Sequence, residues 1–316
     1  MTNIYTYTNS TIEKAAEIIK NGGLVSFPTE TVYGLGANVF NPKAVANIFA
    51  AKGRPSFNPL ISHIAEIETM SELAQIDERA LSLAKEFWPG PLTFVLKRKE
   101  KNSLLDMVCA GLPTMTIRMP NHPIALELIK KSGVPIATPS ANRSQSISPT
   151  TARHVFESLG SKVDMIIDGG SCLVGVESTI IDLTTDKVVL LRAGGLAKEQ
   201  IEDFLGEKVL LSQGDPNLPS SPGQMLKHYA PKLPTRINIS SSERKENEFY
   251  IGFGSNDGDL NLSKSGNLTE AAANLFAYMH IAEEQIQYPA IAIAPIPETG
   301  LGLAINDRIR RASYNK

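Results

Sequence analysis

The chain has 316 residues, 42% of them hydrophobic and 20% charged, with a formal net charge of −2. That balance belongs to a folded protein with room for two domains, and it excludes both a disordered chain and a polycationic binder of nucleic acid. The longest apolar runs are strand-sized, short of the ~18 residues of a membrane span, and the polar start Met1–Ser10 lacks a signal-peptide pattern, so a cytoplasmic protein away from membranes is expected.

Helical and strand-like segments alternate through the first 205 residues. Ser10 with Glu13 reads as a capping box, Ile12, Ala15, Ala16 and Ile19 give an apolar helix face, and Asn21-Gly22-Gly23 stops it. Leu24–Phe27 follows as a short buried strand. Asn41 and Pro42 suit the cap and first position of a second helix, which Lys52-Gly53-Arg54-Pro55 ends. Leu60–Ile64 reads as a strand and Glu78–Trp88 as a helix closed by Pro89-Gly90-Pro91. Leu92–Leu96, Thr114–Met119, Val134–Thr138, Met165–Ile167, Thr179–Leu183 and Val188–Leu191 are further strand candidates. From Gly206 to Pro234 the composition turns proline-rich and loses periodicity, as in a linker or strap. Strand (Phe249–Phe253), helix (capped by Asn267 with Glu270), strand (Ala290–Ala294) and helix (from Leu303) then predict a small parallel-sheet domain of Rossmann type.

Several segments have the composition of sites. Gly34-Leu35-Gly36 begins like a dinucleotide fingerprint, but Val39 stands where the third glycine belongs, so it is read as a tight turn. A phosphate loop of the G-x-x-x-x-G-K-[ST] form is absent. Lys52 and Arg54 at a helix end could simply offset the helix dipole, yet Pro55 and Pro59 stiffen the loop that also holds Asn58, and rigid cations suit a phosphate. Thr138–Ser144 is a polar cluster after a strand, where α/β proteins place ligands. Arg118 and Arg192 interrupt apolar strands, which implies a partner or a cavity because isolated burial of charge is costly. Cys109 and Cys172 read as ordinary thiols, and the five histidines are too scattered for a metal pair.

Together these segments resemble the YrdC family, specifically its two-domain threonylcarbamoyl-AMP synthases. The resemblance rests on Pro28-Thr29-Glu30-Thr31-Val32-Tyr33-Gly34-Leu35-Gly36, Lys52-Gly53-Arg54-Pro55 with Asn58-Pro59-Leu60, Trp88-Pro89-Gly90-Pro91-Leu92-Thr93 and Arg118-Met119-Pro120. It continues through Pro139-Ser140-Ala141-Asn142, Asp168-Gly169-Gly170, Val176-Glu177-Ser178-Thr179-Ile180 and His228-Tyr229-Ala230-Pro231. It implies an α/β fold: a YrdC-like mixed twisted sheet over 1–205, a proline-rich linker or lid over 206–234, and a smaller Rossmann-like domain over 235–316. The implied catalytic signature is Lys52, Arg54, Ser140 and Asn142. Arg54, Asn58, Thr114, Ser140, Ser148, Arg192 and Tyr229 match ATP contacts, and Thr31, His63, Arg118, Thr138 and Ser178 match the threonine site. Two departures stand out: Arg143-Ser144-Gln145 where the family usually reads Pro-Ser-Gly, and Ala193 in place of a common proline.

The implied reaction joins L-threonine, bicarbonate and ATP into threonylcarbamoyl-adenylate and pyrophosphate, with Mg2+ as cofactor bound by ligands that the sequence does not identify. The product would pass to proteins that modify tRNA; direct contact with tRNA is left open. Chemistry at phosphorus needs positioning and charge neutralisation, which Lys52, Arg54, Ser140 and Asn142 suit. Arg118 suits the threonine carboxylate, and Thr31 and His63 its hydroxyl. The strap, with Lys227-His228-Tyr229, is expected to act as a lid. Two other readings compete: an RNA-binding module without catalysis, and an enzyme adenylating another carbamate. Aromatic residues are only 6% and not interleaved with basic ones, which argues against a stacking platform for RNA.

Overall fold

The computed structural model describes residues 2–99, 103–212, 221–223 and 228–314. The first helix, α1 (Asn9–Lys20), is capped by Thr8, two residues before the expected cap. Thr8 and Thr11, not Ser10 and Glu13, form the reciprocal capping box, while Ile12, Ala15, Ala16 and Ile19 are buried as their spacing requires. α2 (Pro42–Lys52) begins with Asn41 accepting from the Ala44 amide and ends at Gly53 in the left-handed conformation (φ +60°). α3 (Met70–Leu73), α4 (Glu78–Phe87), α5 (Pro123–Ser132), α6 (Ala152–Leu159) and α7 (Lys198–Leu205) complete the helices of the first part.

Eleven strands make one mixed sheet. They are β1 (Ile4–Thr6), β2 (Val25–Phe27), β3 (Gly34–Asn38), β4 (Ile61–His63), β5 (Leu92–Lys97) and β6 (Thr114–Arg118). The others are β7 (Ile136–Ala137), β8 (Met165–Asp168), β9 (Thr179–Asp182), β10 (Val189–Arg192) and β11 (Leu210–Leu211). Their order across the sheet is β1-β8-β2-β3-β7-β4-β6-β5-β9-β10-β11. The segment read as a tight turn is strand β3. Its glycines serve packing, since a Cβ on Gly34 would collide with Thr138 and one on Gly36 would lie 2.7 Å from the Phe27 ring. The pair α1 and α5 covers one face with Ile12, Ile19, Leu128 and Ile129, and the largest core, around Leu35, Ile48, Phe94 and Ile117, fills other space around the sheet.

The second sheet holds β12 (Thr235–Arg236), β13 (Glu248–Gly252), β14 (Leu260–Asn261) and β15 (Ala290–Ile293), all parallel, in the order β12-β15-β13-β14. α8 (Leu268–Glu284), capped by Asn267, and α9 (Gly302–Ala312) pack with it. The expected Rossmann-like character is therefore seen in a four-stranded parallel sheet. Its core does not stop at its own elements, for Val32, Ile147, Val176 and Tyr229 join Phe276 and Met279 in one buried cluster. Where the two parts meet, Gly175 (φ +73°) lies against α8, and a Cβ there would sit 2.5 Å from the Ala272 carbonyl oxygen. Gly175→Val should therefore lower stability by about 1–3 kcal/mol through overpacking and backbone strain. Urea unfolding measures this, and a midpoint equal to the parent's would show that the junction yields freely.

Candidate active site

β4 and β6 run parallel, pairing Ile61 with Thr116 and His63 with Arg118. Alternation along each strand sends Ile61, His63 and Arg118 to one face. There they line a cavity of about 50 Å3 together with Thr31, Thr138, Ser140, Ser178, Arg54 and Arg192. Pro222, Gly223, His228 and Tyr229 of the strap also line it. Nine of the residues expected at the site thus meet around one small cavity.

One group centres on Arg118. Its guanidinium lies 2.6 Å from Glu30, donates from Nη1 to Thr31 Oγ1 at 3.0 Å and from Nε to the Gly90 carbonyl at 3.2 Å. Thr31 Oγ1 is in turn 2.8 Å from Thr29 Oγ1. Glu30 is the residue that sequence reasoning passed over. An acid set between two threonines directly after a buried strand has to find a cation, and that was the available signal. Across the cavity, Ser178 Oγ pairs with Thr93 Oγ1 at 2.7 Å, and Thr138 Oγ1 donates to the Ile136 carbonyl at 3.0 Å. His63 is buried with no aligned partner at Nδ1. Burial, then the neighbouring Arg118 charge, pushes its pKa down to about 3, so the ring is neutral at physiological pH.

A second group is cationic. Arg54 donates from Nη2 to the Pro59 carbonyl at 2.9 Å and from Nε to the Asn58 carbonyl at 3.3 Å. Arg192 donates to the Ser178 carbonyl at 3.0 and 2.9 Å and to the Pro222 carbonyl at 3.4 Å. Among the described residues neither makes an ion pair. Burial lowers the pKa of both, that of Arg54 to about 10, and they repel one another. Lys52 does not line the cavity. Its ammonium donates to the carbonyls of Ser140 (2.6 Å) and Asn142 (2.5 Å), tying the 140–142 loop to the end of α2. Asn142 turns away as well, donating from Nδ2 to the Ser146 carbonyl at 2.7 Å. Lys52 and Asn142 therefore shape the loop that presents Ser140, rather than facing the cavity themselves.

Three expected nucleotide contacts also lie off the cavity. Thr114 shares a strand face with Arg118 but is four positions away, roughly 13 Å at ~3.3 Å per residue. Asn58 is buried and offers Arg54 its backbone carbonyl. Ser148 is fully buried and donates to Glu177 Oε1 at 2.5 Å. Within the departure Arg143-Ser144-Gln145, Gln145 holds φ +72°, the region a glycine adopts without strain. Arg143 bends off to the Ser158 carbonyl at 3.1 Å.

The strap closes the space. Tyr229, fully buried and itself at φ +59°, lies 3.9 Å from the His228 ring and 5.5 Å from the Phe276 ring. The Ala230 amide donates to the Gln145 carbonyl at 2.8 Å, which fixes the strap to the 143–146 loop. Lys227 lies outside the described residues. Glu177, another lining residue, accepts from Arg308 Nε of α9 at 2.8 Å. At the same junction His154 and His280 stack at 3.8 Å. Among the described residues no three acidic, histidine or cysteine side chains converge on a point that could hold a metal. Glu30 and Glu177 are both taken by arginines, so these residues do not form a magnesium site of their own.

The neutral state of His63 has a consequence for stability. A histidine in the unfolded chain titrates near ~6.5, whereas His63 and His154, the latter lowered by burial and then by His280, titrate at about 3 in the fold. Between those values the unfolded state binds more protons, so stability is full above about pH 6.5 and falls as the pH drops toward 3. His63→Gln should flatten that decline without abolishing it, as read from urea midpoints at pH 7.5 and 5.0. An unaltered decline would remove His63 from the account.

The chain matches two family models: Sua5_yciO_yrdC, described as "Telomere recombination", over residues 17–194, and the threonylcarbamoyl-AMP synthase C-terminal domain over residues 196–313. It is 42% identical to the threonylcarbamoyl-AMP synthase of Bacillus subtilis, covering 96% of this chain and 92% of that one. It is 44% identical to the enzyme of the same name from Pyrococcus abyssi, covering 96% and 94%. Among solved structures, P. abyssi Sua5 complexed with L-threonine superposes with a TM-score of 0.90 at 41% identity, over 98% of this chain and 97% of that one. With its eleven-stranded mixed sheet, its arginine-lined cavity and its small parallel-sheet domain, the chain belongs to the Sua5/YrdC family, in the two-domain form of the threonylcarbamoyl-AMP synthases.

Proposed function

We propose that this chain joins L-threonine, bicarbonate and ATP into threonylcarbamoyl-adenylate and pyrophosphate, the activated group then passing to tRNA through transfer proteins. The observation that carries this reading is the pair of buried guanidinium groups, Arg54 and Arg192, bonded among the described residues to carbonyl and hydroxyl oxygens, beside an arginine already anchored by an acid. Cations held by neutral oxygens keep their charge for a polyanion. The relative from P. abyssi, solved with L-threonine, supports the amino-acid half.

Arg118, held by Glu30, would receive the threonine carboxylate, with Thr31 and neutral His63 beside the hydroxyl. A pocket that hydrogen-bonds a hydroxyl rejects the analogue lacking it by a factor on the order of 10⁴. The threonine amine takes up carbon dioxide from bicarbonate, giving a carbamate and one water, which carries off the bicarbonate hydroxyl and the proton that the amine gives up. One carbamate oxygen attacks the α-phosphorus as pyrophosphate leaves, and Arg54 and Arg192 offset the charge that grows there. Magnesium would arrive on the nucleotide's own phosphates, as is common for that ion. The RNA-binding alternative fits less well, because the cations line a small cavity of about 50 Å3 and not a long groove. No helix among the described residues is long and apolar enough to cross a membrane, and a reaction that draws on ATP and serves tRNA suits the cytoplasm.

Pyrophosphate release should require threonine and bicarbonate together, with a product of the mass of threonylcarbamoyl-adenylate. Release without threonine would overturn the assignment. In the same assay Arg54→Ala should lose about 10²–10³ in turnover, whereas Arg118→Ala should raise the threonine requirement far more than that for ATP. Equal weakening of both substrates would remove Arg118 from the threonine site.

The strap is the second element of the proposal. A cavity of about 50 Å3 is far below the ~300–1,000 Å3 of sites that hold molecules of drug size, so His228 and Tyr229 must withdraw for ATP to enter and return to exclude water. Tyr229→Ala should then lower the adenylate recovered per ATP consumed. Parent-like yield and ATP affinity would reduce the strap to a tether.

A further inference from the structure

We propose that Arg308, on α9 of the small domain, is a positioning residue of the active site, cancelling the charge of Glu177 and seating Tyr229 so that the nucleotide half of the cavity stays cationic. Arg308 is the largest fully buried side chain of the described residues. Its Nε donates to Glu177 Oε2 at 2.8 Å, and its Nη1 donates to the Ala193 carbonyl and to Asp307, each at 2.8 Å. Its guanidinium carbon lies 5.1 Å from the centre of the Tyr229 ring. Both Glu177 and Tyr229 line the cavity, so one side chain of the second domain touches two residues of its wall and, through the Ala193 carbonyl, the backbone next to a third, Arg192.

The electrostatics give the contact its meaning. The cavity wall carries Arg54, Arg118 and Arg192, and Glu177 is its one acidic member among the described residues. Unopposed, that carboxylate would face the incoming phosphates and repel them. Ser148 satisfies Oε1 and Arg308 satisfies Oε2, so Glu177 is held as half of a neutral pair. The cation against the Tyr229 ring also favours the closed strap, since a desolvated cation attracts an aromatic face. Of the threonine half, Glu30, Thr31, His63, Arg118 and Thr138 have no hydrogen bond or ion pair with Arg308 among the described residues, and Ser178 meets the cationic half through Arg192. Loss of Arg308 should therefore separate the two substrates.

The inference rests on the reading of the cavity as an ATP and threonine site, so the test measures binding without turnover. Calorimetric titration of the full chain with ATP alone and with threonine alone is run for the parent, Arg308→Gln and Arg308→Lys, with pyrophosphate release in parallel. The expected result is ATP affinity weakened tenfold or more in Arg308→Gln and about threefold in Arg308→Lys, with threonine affinity within twofold of the parent. Arg308→Lys keeps the charge but cannot reach Glu177, Ala193 and the Tyr229 ring at once, so it decides the matter if the glutamine variant fails to fold. Unchanged ATP affinity in the folded variants, or equal loss of both ligands, overturns the positioning role while leaving the site assignment intact. A parent that binds neither ligand overturns both.

Discussion

Buried positive charge is the constraint around which this molecule is arranged. Arg54, Arg118 and Arg192 are each at least nine-tenths buried and line one small space. Taking such groups out of water costs several kcal/mol each unless good hydrogen bonds replace the lost hydration. Among the described residues Arg118 alone of the three receives an acid; the other two bond carbonyls that must be delivered to fixed points. The Pro59, Ser178 and Pro222 carbonyls do this, and each belongs to a different stretch of chain. The loop after α2, the chain entering β9 and the strap therefore share one electrostatic task.

Charge also explains the junction between the two parts. The small domain does not merely abut the sheet; its core takes in Val32, Ile147, Val176 and Tyr229, residues of the larger part and of the strap. A buried ion pair is poor evidence of stability, because hydrophobic replacements are often as good, but a docking that parted its two members would leave a buried charge uncompensated at a cost of several kcal/mol. The Glu177–Arg308 pair thus marks one particular docking of the domains. Backbone strain at Gln145 and Tyr229, both left-handed, sits where strap meets loop, and the hydrogen bond from Ala230 to the Gln145 carbonyl holds those residues together.

Much of this frame is legible in the sequence wherever the signal is local. Asn41 and Pro42 start α2, Asn267 caps α8, and the apolar runs of β5, β6, β9 and β10 fall within a residue or two of their places. The misreadings share a cause. β3 carries glycines because Thr138 and Phe27 crowd it, a tertiary fact that composition presents as a turn. The cap of α1 shifted because Thr8 has a reciprocal partner in Thr11 that outcompetes Ser10. At the site, residue identity told which cations gather but not which way they point, so Lys52 proved to brace a loop. Glu30 and Arg308 were harder still. Arg308 sits in Asp307-Arg308-Ile309-Arg310-Arg311, which reads as the basic end of an exposed helix until another domain covers it.

The order of strands in the large sheet bears on how the protein is made. β1 pairs with β8, Ile4 beside Ile166, and Asn3 reaches across a separation of 160 residues to the Val163 carbonyl. At ~5–20 residues per second, a ribosome takes roughly 10–30 s to deliver that partner. Throughout that interval the strand bearing Tyr5 has an open edge on the nascent chain, exposed to pairing with any other extended segment nearby. α1, which follows it and carries its own cap, can form at once. Early synthesis therefore presents a helix tethered to an unmatched strand, a species that chaperones which hold extended segments are suited to receive.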